Sequence, residues 1–242
     1  PDAPRAPGAR PGPDPMSRIA ALLLDLDGTL LDTAPDMGGA LNRLLIEHDR
    51  EPLDPVAIRP VVSHGAARLV RLGFPTAEGE AFESLRLRFL NLYAANLAHG
   101  TRPFPGFMEV LEALERMAIP WGIVTNKPGW LTDPLLAALD LDARPACVVS
   151  GDTVAERKPH PLPLLHAAAL LKVTPEDCLY VGDAERDIQA GRAAGMRTLV
   201  AAYGYLGEED DPAAWSPTGI VHTPGELLDW VDPRARAGGE AP

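Results

Sequence analysis

The chain has 242 residues, 46% hydrophobic and 23% charged, a globular balance that suits one α/β domain with an insertion or two small domains. A formal charge of −12 and a pI of about 4.9 exclude a basic face for nucleic acid or anionic lipid, so an anionic ligand must meet a local cationic pocket or a metal. No apolar run approaches the ~20 residues of a membrane span, and a cytoplasmic protein, monomeric or homodimeric, is expected.

Residues 1–16 are proline-rich and nearly free of large apolar side chains, which predicts a disordered segment without the apolar centre of a signal peptide. Met16 reads as the natural start, with the upstream residues a vector remnant or an over-extended reading frame. A loose tail is expected over 233–242. Short apolar runs at 19–25, 119–125, 146–151, 178–183 and 197–202 lack alternation, as strands covered on both faces do. The stretches 107–118, 129–140, 160–172 and 186–195 carry apolar residues at helical spacing. This is a repeated βα pattern, predicting an α/β doubly wound parallel sheet with core segments 17–32 and 105–232. Between Leu31 and Phe104 no buried strand is legible, only helix-like stretches. A helical cap over 33–104, inserted after the first strand, is expected, with linkers near 33–36 and 101–105. Cys147 and Cys178 lie beside apolar runs without metal-ligand spacing, so they read as buried reduced thiols.

The strongest chemical signal is Asp25-Leu26-Asp27-Gly28-Thr29, directly after the first strand. Carboxylates two apart leave a strand on the same side, and Gly28 lets the chain turn sharply. A carboxylate nucleophile needs an acid for the leaving alkoxide and then a base for water, and Asp25 with Asp27 fits that pair. Asp183 and Asp187, in Gly182-Asp183-Ala184-Glu185-Arg186-Asp187, are four apart at a helix start and suit a hard cation. A helix-start carboxylate facing the macrodipole fits Asp187 equally well. Thr125-Asn126, at a strand end, offers a hydroxyl and backbone N–H groups to phosphoryl oxygens, and Lys158 before a helix offers a point charge.

All four elements fall at the carboxyl ends of strands, where open parallel sheets bind ligand. In this order they resemble the haloacid dehalogenase superfamily: DxDGT, a Thr/Ser after the second strand, a Lys, then GDxxxD. The resemblance spans Ile19 to about Leu228. It implies a phosphoaspartyl intermediate on Asp25, general acid/base catalysis by Asp27, phosphate contacts from Gly28, Thr125, Asn126 and Lys158, and Mg2+ on Asp25, Asp183 and Asp187. The Asp27 main-chain carbonyl completes the implied metal set.

An acid at position 27 argues against the dehalogenases, while the sugar-phosphate mutases share both cap and DxDG start. VTNKP (124–128) resembles the phosphoglycolate phosphatases. LDTAPD (31–36) and YGYLGEEDDPAAW (203–215) resemble a bacterial branch acting on N-acetylmuramic acid 6-phosphate. The implied activity is a Mg2+-dependent phosphomonoesterase acting on one of these two carboxylated small molecules. A mutase and a non-catalytic scaffold of the same fold are the alternatives. Ser63, His64 and Arg68 form a polar segment of the cap, with Arg68 suited to the substrate carboxylate. His160 reads as a helix-start residue, and Trp121 and Trp215 as packing residues.

Overall fold

A computed structural model describes residues 19–232 of the chain. The segments expected to be loose, 1–16 and 233–242, lie outside the described residues.

Strand β1 (Ala21–Leu24) is the centre of a six-stranded parallel sheet. The other strands are β4 (Trp121–Val124), β5 (Cys147–Val149), β6 (Cys178–Gly182), β7 (Arg197–Ala201) and β8 (Gly219–Val221), in the order β5-β4-β1-β6-β7-β8. All four β1 side chains are buried, and the period of two divides them between two cores. Leu22 and Leu24 meet helices α5 (Phe107–Arg116), α6 (Gly129–Ala138) and α9 (Leu227–Val231) through Leu111, Leu135 and Leu227. Ala21 and Leu23 face α7 (Leu162–Leu171) and α8 (Glu185–Ala193) through Leu164, Ala167 and Ala190. Burial on both faces is why these strands read as unbroken apolar runs. The chain winds outward from β1 in both directions, which opens a crevice at the carboxyl ends of the central strands.

The stretch after β1 folds as helices α1 (Ala34–Ile46), α2 (Pro55–Ile58), α3 (Gly65–Gly73) and α4 (Gly79–Ala94), with a 3-10 turn over Arg59–His64. It leaves and rejoins the sheet through a ribbon that the sequence did not reveal, β2 (Leu31–Asp32) paired antiparallel with β3 (Arg102–Pro103). Two-residue strands show no alternation to read. The edge strand β8, three residues long, was missed for the same reason. Beside the ribbon, the Asp36 carboxylate accepts from Gly100 N (2.7 Å), Thr101 N (2.8 Å) and Thr101 Oγ1 (2.6 Å), tying the outgoing connection to the returning one.

Both cysteines are free and buried, and burial raises their thiols to about 11 for Cys147 and about 12 for Cys178. Trp121 packs inside the core, while His160 accepts from Leu162 N at the start of α7. No helix among the described residues is long and apolar enough to cross a membrane.

Candidate active site

The chain turns sharply after β1 because Gly28 adopts φ +86°, and Gly28 N donates to Leu31 O at 3.0 Å. A Cβ at Gly28 would lie 2.1 Å from Asp183 Oδ2, so only glycine lets the two segments approach. The turn leaves Asp25 buried at the strand end and Asp27 at the wall of a cavity of about 590 Å3.

Asp25 Oδ1 accepts from Leu26 N (2.7 Å) and pairs with Lys158 Nζ at 2.8 Å. The same ammonium lies 2.7 Å from Asp187 Oδ1 and donates to Val124 O (2.9 Å) and the Tyr180 hydroxyl (2.7 Å). Lys158 is thus clamped by β4, β6 and α8 and is 3% exposed. Asn126 fixes its backbone from both sides: Nδ2 donates to Lys158 O (2.9 Å) and Lys158 N donates to Oδ1 (3.0 Å). The side-chain amide of Asn126 is therefore spent on placing Lys158. Thr125 Oγ1 accepts from Lys127 N (3.1 Å), which keeps its own proton available to the cavity.

Asp25, Asp183 and Asp187 each present an oxygen within 4.8 Å of the others, all three side chains buried. Burial outweighs the lowering effect of Lys158 and raises the Asp25 pKa, with Asp187 adding to the rise. For Asp187 burial also opposes ionisation, but Lys158 and Arg186 overcome it and hold the pKa low. Burial, then the charges of Asp25 and Asp187, push Asp183 up to about 7. Asp183 Oδ2 accepts from Ser63 Oγ (2.5 Å) and Tyr205 N (3.1 Å). Its other oxygen, Oδ1, is buried without a hydrogen-bond partner. An orphaned carboxylate oxygen among three clustered acids is what a hard divalent cation would satisfy, so the residues fit a Mg2+-type ion. Asp187 differs, since Oδ2 takes Ala184 N (3.1 Å) and Oδ1 faces Lys158 and Tyr180. The helix-start role and a role at the cluster coexist there. The Asp27 carboxylate stands apart from the three acids and pairs with Lys127 Nζ at 2.6 Å.

The structure brings Asp25, Asp27, Thr125, Asn126, Ser63 and His64 to one cavity, with Lys158, Asp183 and Asp187 beneath it. It does not bring Arg68 there, for that side chain is exposed on α3. Partial burial, then Arg186, lower the His64 pKa, so the imidazole is neutral at pH 7. Sequence reasoning missed Lys127, Tyr93, Arg86 and Arg186, which join the site by tertiary folding. Lys127 lay inside the VTNKP stretch already singled out, and its adjacency to Thr125-Asn126 was the available signal.

A family model described as haloacid dehalogenase-like hydrolase matches residues 22–201. The chain belongs to that family. It is 47% identical over 203 residues to a phosphoglycolate phosphatase of Xylella fastidiosa, covering 84% of this chain and 89% of the relative. It is 40% identical over 216 residues to an N-acetylmuramic acid 6-phosphate phosphatase of Pseudomonas aeruginosa, covering 89% and 96%. Among solved structures, a predicted phosphoglycolate phosphatase from Haemophilus somnus superposes with a TM-score of 0.80 at 26% identity, covering 90% of this chain and all of the other.

Proposed function

We propose that this haloacid dehalogenase-like hydrolase is a Mg2+-dependent phosphomonoesterase that works through a phosphoaspartyl intermediate on Asp25. The observation that carries the reading is the buried Asp25 carboxylate, pinned through Oδ1 by Lys158 beside the orphaned Asp183 Oδ1 and lining the cavity. Asp25 Oδ2 attacks phosphorus, an O–P bond forms, and the bond to the leaving oxygen breaks as Asp27 protonates it. Asp27 then takes a proton from water, which attacks the phosphoaspartate, releasing inorganic phosphate and restoring Asp25. Thr125 and Lys158 stabilise charge on the phosphoryl oxygens. Asp25, Asp183 and the Asp27 carbonyl would hold the cation, with Asp187 beside them; it supplies positive charge that offsets carboxylate repulsion and polarises the phosphoryl group.

The cavity favours the larger of the two carboxylated substrates. About 590 Å3 lies in the range that takes sugar-sized ligands, far more than a two-carbon acid fills. Its lining includes Leu87, Leu90 and Trp130, suited to a sugar ring and acyl group, together with Arg86 from α4. Arg86, paired with Glu83 at 2.8 Å, lines the cavity where Arg68 does not, and we assign it to the substrate carboxylate. Phosphate release from N-acetylmuramic acid 6-phosphate, 2-phosphoglycolate and hexose phosphates, with and without Mg2+, tests both levels of the proposal. The muramic acid ester should be the best substrate. No Mg2+-stimulated phosphate release from any ester would leave the scaffold reading, and phosphate returned to a second sugar position would indicate a mutase.

A further inference from the structure

We infer that Lys127 and Tyr93 form a positioning pair that aims Asp27, so that proton transfer to the leaving group depends on where helix α4 sits. The inference rests on the acid/base reading of Asp27 proposed above.

Lys127 follows β4, Asp27 follows β1, and Tyr93 lies on α4 in the helical insertion. The three meet at the Lys127 ammonium. It lies 2.6 Å from Asp27 Oδ1 and donates to the Tyr93 hydroxyl at 3.0 Å, and its nitrogen is 4.7 Å from the Tyr93 ring centroid. The backbone of Lys127 is equally fixed, since its carbonyl accepts from Gly151 N (2.8 Å) and its N–H is held by Thr125. The lysine side chain is 4% exposed and Tyr93 1%, whereas the Asp27 side chain is 17% exposed. A buried, fully anchored cation therefore grips one oxygen of a carboxylate that would otherwise rotate about two torsions. Oδ1 is occupied, and Oδ2 remains to exchange a proton in the cavity. Buried charges are retained when paired and hydrogen-bonded, and the Tyr93 hydroxyl supplies the partner that the sheet does not. Because Tyr93 rides on α4, displacement of the insertion would release the lysine and with it the orientation of Asp27. Proton transfer requires hydrogen-bond reach between donor and leaving oxygen, so a rotated Asp27 would fail at that step alone.

The test is the dependence of kcat/KM on leaving-group pKa across a series from p-nitrophenyl phosphate to alkyl phosphates. Lys127→Met is expected to lose about 10- to 100-fold on alkyl phosphates and no more than about threefold on p-nitrophenyl phosphate, a steeper line, since positioned acid/base groups contribute about 10²–10⁴-fold. Tyr93→Phe keeps the ring and packing and should steepen the line in the same direction by a smaller factor. In an Asp27→Asn background, Lys127→Met should add no more than about twofold, because the group it aims is gone. Equal loss across the series, or a full further loss in the Asp27→Asn background, overturns the positioning role and makes Lys127 a phosphate-binding or structural residue. A steep line for Asp27→Asn with flat lines for Lys127→Met and Tyr93→Phe overturns this inference alone. An unchanged slope in Asp27→Asn overturns the acid/base reading and the positioning pair with it.

Discussion

Ser63 donates its hydroxyl proton to Asp183 Oδ2 across 2.5 Å, joining the helical insertion to the acidic cluster under the sheet edge. Arg186 in turn donates to the Ser63 carbonyl, so the serine is held from both ends. Ser63 was expected to touch substrate, yet its hydroxyl is committed to a carboxylate proposed to hold the cation. Partners of this kind orient a ligating carboxylate, and their loss typically costs about 10- to 100-fold in metal affinity. Ser63→Ala should therefore raise the Mg2+ concentration needed for half-maximal activity by at least about tenfold while KM for the phosphate ester moves little. A change confined to KM would return Ser63 to the substrate.

Asp25→Asn is expected to abolish turnover and leave the protein folded. An amide of nearly the same shape cannot attack phosphorus, and each ~1.4 kcal/mol of lost transition-state stabilisation is tenfold in rate. Removing one of three neighbouring buried carboxylates also relieves repulsion, and Lys158 keeps its contact with Asp187. Without divalent cations the variant should melt no lower than wild type. Activity within tenfold of wild type would remove the nucleophile assignment.

Asp183 gives the cation dependence of stability a pH signature. Its folded pKa, about 7, is above the ordinary 3.8, so between those values the folded protein binds the proton that the unfolded chain has lost. Cation-free stability should fall as pH rises through this window and then level off, as far as this group contributes. A cation takes only the ionised carboxylate, so it competes with that proton. The gain in melting temperature on adding Mg2+ should be larger at pH 8 than at pH 5.5. A gain that is equal at both, or larger at pH 5.5, would mean that Asp183 does not bind the ion.

Arg86 and Arg68 separate the two accounts of carboxylate recognition. Arg86 lines the cavity and Arg68 does not. A charge-assisted hydrogen bond is worth roughly 1.5–3 kcal/mol, so Arg86→Ala should lower kcat/KM about ten- to a hundredfold for a carboxylated ester and little for p-nitrophenyl phosphate. Arg68→Ala should leave both within about twofold. The reverse pattern would restore Arg68. Parallel losses on both substrates would mean that Arg86 supports the fold of α4.

The sheet and the four motifs on its carboxyl edge were legible because each is encoded locally. An apolar run ends in a polar turn, and the turn carries the chemistry. What could not be read are partnerships set by tertiary distance. The partners that bury Lys158, namely Tyr180, Val124 and Asp187, come from three separate elements, and Tyr93 lies 34 positions from the lysine it supports. Arg68 was chosen because it follows Ser63 and His64 in sequence, but α3 turns it outward while Arg86, from the next helix, reaches the cavity. The stretches LDTAPD and YGYLGEEDDPAAW, which carried the likeness to one branch of the family, meet around the ribbon. The Tyr205 hydroxyl donates to Asp32 Oδ1 (2.8 Å) and accepts from Ala34 N (2.8 Å), and Arg59 pairs with Asp32 at 3.0 Å.

The carboxylate of Asp36 grips Gly100 and Thr101 while its own helix departs from β2. Two untethered connections would let the insertion twist, slide or lift one end at a time. Fastened side by side by Asp36 and by the β2–β3 ribbon, they form one paired link between the insertion and the sheet. Beyond that link the insertion reaches the site at two places, Ser63 on the acidic cluster and Tyr93 on the lysine.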